Sequence, residues 1–119
     1  MNCRVGTGAR TQIAQILIKS TFDHGDRHAD NYRLLLETAM DDIAAYPDRL
    51  GARSLPGFSG VWGYDIRLSK NRVARNSRIR NAWRKLIYTR GPGGIVEVLA
   101  VVGRSYPSGR AAREGIAAR

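Results

Sequence analysis

Apolar side chains recur at every third or fourth position through the first half of the chain and at every second position through much of the second. In "ARTQIAQILIKSTF" Ile13, Ile16, Leu17 and Ser20 fall at helical spacing, which predicts a first helix ending near Phe22, before Gly25. Asp26 then offers an N-cap, and Tyr32, Leu35, Leu36, Ala39, Ile43 and Tyr46 form the longest stripe, stopped by Pro47. Further on, Trp62, Tyr64, Ile66 and Leu68 alternate with Gly63, Asp65 and Arg67, the pattern of a strand with one buried face. "WRKLIYTR" and "GIVEVLAVVG" predict two more strands, joined by a hairpin turn at Gly91-Pro92-Gly93-Gly94. Residues 3–5 predict a short opening strand, and residues 107–119 a short helix or a flexible tail. The expected fold is α+β: a short N-terminal strand, then a helical hairpin packed on a three- to four-stranded, mainly antiparallel sheet.

A chain of 119 residues is the size of one ordinary domain, so residues 1–119 are read as a single unit. Its net charge of +10 is unevenly placed: residues 1–59 hold seven basic and seven acidic side chains, residues 60–119 thirteen and three. Seventeen of the twenty basic residues are Arg, whose planar fork pairs with carboxylate or phosphate in two-pronged fashion, so a polyanion or an acidic protein is the expected partner. The charge peaks in "RLSKNRVARNSRIRNAWRK", Arg67 to Lys85, with eight Lys or Arg among nineteen residues and no acid. Within it, "SKNRVARNSRIRN" predicts a solvated, mobile loop between the first two meander strands, with Arg67, Arg84 and Lys85 on the strands themselves.

The lone Cys3 allows no internal disulfide and fits a reducing cytoplasm. The opening "MNCRVGTGAR" has no apolar core of leader length, and the longest apolar run, Ile95 to Val102, is broken by Glu97, well short of the roughly 20 residues that span a membrane. No membrane association, metal or cofactor is expected.

Three stretches, "MDDIAAYPDRLGARS", "GYDIRLSKNRV" and "WRKLIYTRGPGGIVEVLAVVGRSYP", resemble the RelE/ParE superfamily of bacterial toxins from type II toxin–antitoxin modules. The similarity runs from about Ala9 to Tyr106 and is closer to the ParE branch, whose basic strand and "hxLxYR" strand are matched by "YDIRLSK" and "KLIYTR". At the end of the last strand that branch has a His before a basic residue; here the His is absent and Arg104 is the matching basic position. The resemblance implies a toxin neutralised by a cognate antitoxin, with DNA gyrase as the target in the ParE branch, or the ribosome and messenger RNA in the RelE branch. Operator DNA would be reached only through the antitoxin.

The chemistry of these residues favours binding over catalysis. Cleavage through a ribose 2′-hydroxyl needs a base, an acid and positive charge on the phosphate. Arg67, Arg84 and Arg104 are candidates to hold phosphate, Lys85 to accept a proton, and Tyr88 or Tyr106 to donate one or stack. Arg does not act as a general base, and with Lys19 assigned to the first helix only Lys70 and Lys85 carry an enzymatic reading. The residues expected to contact a target or antitoxin are Arg67, Lys70, Arg72, Arg84 and Arg104; a plain nucleic-acid-binding module remains a further reading. His24 and His28 straddle Gly25 with no third ligand and read as surface residues, "GTGAR" as the turn into helix one, and Asp41 and Asp42 as solvated helix surface. Trp62, Tyr64 and Trp83 read as core rather than as stacking platforms.

Overall fold

Glycine and aspartate at the element junctions set the path of the chain in the computed structural model, which describes residues 3–119. Strand β1 (Cys3–Val5) leads through Gly6 into α1 (Thr7–His24), and Gly25 alone separates α1 from α2 (Asp26–Ala45). Gly25 sits at φ 91°, a conformation that side-chain-bearing residues rarely adopt, which lets the hairpin reverse within one residue. Asp26 is therefore in the first turn of α2 rather than its cap, with its carboxylate near the positive end of the helix dipole. Tyr46 has left helical geometry and is 68 % exposed, so the buried stripe of α2 stops at Ile43.

The sheet has five strands, one more than the widest expectation, in the order β1-β5-β4-β3-β2. Two-residue β2 (Arg53–Ser54) pairs antiparallel with β3 (Val61–Asp65), which pairs with β4 (Arg84–Arg90) and through it with β5 (Val96–Gly103). Only β1 runs parallel to its neighbour, with Cys3 opposite Val96 and Val5 opposite Val98. The sheet is mixed, and the α+β class holds.

Both faces of this sheet are covered. One carries the α1–α2 hairpin and the larger core, which includes Leu35, Leu36, Ile43, Tyr64, Leu86, Tyr88 and Val98. The other carries α3 (Ser108–Ala117), whose Ala111 and Ala112 pack with Leu55, Val61, Ile87, Leu99 and Val102. Residues 107–119 are thus mostly a packed helix, and double-sided burial explains why Leu86-Ile87-Tyr88 read as a continuous apolar run. A bulge adjusts the register: Tyr88 faces Val98 but Ile87 faces Ala100, leaving Leu99 as the extra residue. Val98 therefore belongs to the hairpin face while Leu99 and Ala100 both belong to the α3 face. Past the bulge, the Val101 N–H donates to Gln12 Oε1 of α1 at 2.7 Å.

The basic segment departs most from expectation. β3 ends at Asp65, whose Oδ1 accepts the Arg67 N–H at 2.9 Å and turns Ile66–Arg72 into a 3₁₀ helix. Arg67 lies on that turn rather than on a strand, and the alternation fails at Leu68, which is 53 % exposed. A second turn, Arg75–Ser77, follows, and Ser69, Val73 and Ala82 are buried, so residues 69–81 are an anchored connection rather than a free loop. Arg78 folds the segment on itself, Nε donating to the Val73 carbonyl at 2.9 Å.

The anchor is Asp42, read above as solvated surface but fully buried. It accepts from Ser69 Oγ, which also bonds the Tyr64 hydroxyl at 2.8 Å, and pairs with Arg72; Arg49 Nη1 lies 3.5 Å away and donates to the Asp42 carbonyl. A buried carboxylate without such partners costs several kcal/mol, so the network is what makes an acid tolerable at this position. No helix among the described residues is long and apolar enough to cross a membrane.

Candidate functional site

Where the α1–α2 hairpin, the basic segment and the turn from β5 into α3 meet, they enclose an open groove of about 1580 Å³. Burial of Ile16, Leu17 and Ser20 on α1 and of Ala29 and Tyr32 on α2 fixes the helical wall. Arg78 and Arg80 come from the segment before β4, Arg84 from β4, and Arg104, Tyr106 and Arg110 from the β5–α3 side. Seven cationic side chains line the groove against one acid, Asp23, which is paired with Lys19 at 2.8 Å. Positive charge of this density, drawn from separate elements, focuses attraction for anions.

The residues singled out from sequence fall into three groups. Arg84, Arg104 and Tyr106 line the groove. Arg67 lies at its margin, where its guanidinium sits 3.8 Å from the Trp83 ring centroid and that of Arg104 sits 4.9 Å from the same ring. Trp83 is 40 % exposed, so it is a platform for two arginines rather than a core residue. Lys70 is exposed on the first 3₁₀ turn, and Arg72 is spent on Asp42.

Lys85 and Tyr88 are placed differently. Lys85 Nζ donates to the carbonyls of Arg104 (3.2 Å) and Tyr106, so the amine ties down the β5–α3 turn. Partial burial holds it below the ordinary lysine range. Tyr88 is fully buried, its hydroxyl donates to the Pro47 carbonyl, and burial pushes the phenol well above its usual value. Tyr106 gives its hydroxyl to Glu114, which raises its pKa.

The helical wall holds what sequence reading missed. Ser20 Oγ and His28 Nδ1 are 2.6 Å apart, the His24 and His28 rings are 4.5 Å apart, and Tyr32 meets His28 edge-on at 6.2 Å. Burial, then the neighbouring His24, holds His28 below the ordinary histidine value. Burial raises the Tyr32 phenol, partly offset by the Arg84 guanidinium beside it. The only sequence signal was Ser20 within the apolar stripe of α1, eight residues before His28. Among the described residues no three His, Cys, Asp or Glu side chains gather as metal ligands.

The chain matches no family profile, no curated protein and no solved structure.

Proposed function

We propose that the chain is the toxin of a type II toxin–antitoxin module, acting by binding, with DNA gyrase as the target and a cognate antitoxin as its inhibitor. The observation that carries a binding mode is the engagement of the candidate base: Lys85 is held by two backbone carbonyls while arginines, which do not act as bases, supply the free positive charge. The toxin assignment itself is supported by the sequence resemblance, and the element order of strand, helical hairpin and meander is compatible with it. The alternative, a ribosome-dependent ribonuclease, draws on the lowered pKa of Lys85, the property a proton acceptor needs.

Expression of the chain alone tests this reading. Growth arrest with a DNA-damage response, inhibition of gyrase supercoiling by the purified chain and intact messenger RNA are expected. Transcript cleavage that requires ribosomes and is abolished by Lys85→Ala would replace the gyrase reading with the ribonuclease.

A further inference from the structure

The helical wall of the groove carries a feature that no toxin reading uses. His24 and His28 face each other across Gly25, and His28 is bonded through Nδ1 to the buried hydroxyl of Ser20. Serine can donate to a neutral ring or accept from a protonated one, so this bond holds the ring in place in either state. The second ring nitrogen remains for another partner.

The surroundings of the pair are mostly cationic. From α1 come Lys19 and Asp23, which neutralise each other, and from α2 come Arg27 and Tyr32. Opposite them stand Arg78, Arg80 and Arg84. The turn into α3 adds Arg104, Tyr106 and Arg110. Burial, and then the neighbouring His24, oppose protonation of His28. An anion entering the groove reverses the balance, because His28 then gains an opposite charge. Arg84 and the Tyr32 hydroxyl, which burial keeps protonated, add a guanidinium fork and an O–H donor.

We propose that this end of the groove binds a phosphate group and takes up a proton as it does so. The inference is independent of the toxin reading, since it concerns the purified chain and a small ligand. The phosphate can belong to a nucleic-acid backbone or to a free phosphorylated compound, which share the chemistry the site recognises. Recognition here is of phosphate rather than base: the exposed indole, Trp83, already carries two guanidiniums.

Calorimetric titration of the full chain with oligothymidine and, separately, with inorganic pyrophosphate tests the proposal, using buffers of different ionisation heat to count protons. Oligothymidine keeps its charge throughout, so its pH dependence reports the protein alone. Its affinity should rise as pH falls from about 8 through the histidine range near 6.5, at no more than about tenfold per pH unit for one proton. His28→Gln should flatten this rise, His24→Gln should move it to higher pH by removing the neighbour that opposes His28 protonation, and Arg84→Gln should weaken binding at every pH. Arg33→Gln and Arg53→Gln, outside the groove, should leave both unchanged. Binding of one ligand and not the other identifies the source of the phosphate. An affinity independent of pH, equal weakening by the outside variants, or binding of polyglutamate with no binding of either phosphate ligand would overturn the proposal. His24 is exposed, so its variant remains informative even if His28→Gln perturbs folding.

Discussion

The Ser69 hydroxyl donates to Asp42 Oδ2 at 2.5 Å, joining α2 to the basic segment across 27 positions of chain. Through this bond and the Arg72 pair, a segment with the composition of a loop acquires a fixed course.

Asp42→Ala should therefore lower stability by about 3 kcal/mol, the low end of the range for breaking a buried ion pair, because Arg72 is 60 % exposed and can rehydrate. Urea unfolding gives the magnitude. Amide exchange gives the location: residues 66–73 should lose protection more than β4 or β5 do. Exchange at Ser69 and Val73 that is already fast in the unaltered protein would show that the clamp does not hold.

Gly115 packs so closely on β5 that a Cβ there would meet the Leu99 carbonyl oxygen at 2.5 Å. Gly115→Ala should push α3 off the sheet and cost about 1–3 kcal/mol. At Gly109 in the same helix a Cβ would meet only side-chain ends, the Phe58 ring edge at 3.4 Å and Arg113 Nη1 at 3.8 Å, so Gly109→Ala should be neutral or stabilising by up to about 1 kcal/mol from helix propensity. Thermal denaturation of the two variants side by side checks the contrast.

His28 titrates below its ordinary value in the folded chain, so the unfolded chain binds the proton more readily. Stability should be fully present above about pH 6.5, the unfolded value, and decline as pH falls between that value and the lower folded one. Urea midpoints over this range should show the decline, and His28→Gln should remove its contribution. A stability that rises on acidification in the same window would contradict the assignment.

Arg67 and Arg104 share the Trp83 ring, so their charges are held in position before any partner arrives. Replacing Arg67, Arg84 and Arg104 by Gln should slow association with the proposed antitoxin, if an acidic segment of it meets this surface, markedly at low salt. The effect should shrink near 1 M salt, where the Debye length is about 3 Å, and dissociation should change less. Stopped-flow association at both salt concentrations measures this. Arg67→Gln and Arg104→Gln should also fail to add, with a coupling of at least about 0.5 kcal/mol that Trp83→Ala abolishes.

The periodic parts of the chain were legible in advance. The α2 stripe from Tyr32 to Ile43, the strands around Leu86 and Val98 and their hairpin turn follow from side-chain spacing, which records burial directly. What spacing does not record is partnership between distant polar residues. Asp42 reads as solvent-facing until Ser69 and Arg72 are seen beside it. Asp65 caps a turn that ends a strand whose alternation continues in the sequence. Of the groove, Arg84, Arg104 and Tyr106 were legible as charge and aromatic character near the strand ends. The Ser20–His28 bond was not, because Gly25 suggested a break in register where the chain makes a tight reversal.

Parallel pairing of β1 with β5 joins residues 3–5 to residues 96–98, and α1 packs on the same late strand. During synthesis, β1 leaves the ribosome without the strand it pairs with, and α1 without the strand it packs on, until β5 follows. Completion of the sheet thus waits on contacts between the two ends of the chain, the kind that form slowly. A chain stopped before Val96 is not a weakened form of the protein. It leaves α1 and β1 without the strand that covers them, exposed apolar surface that chaperones and proteases recognise.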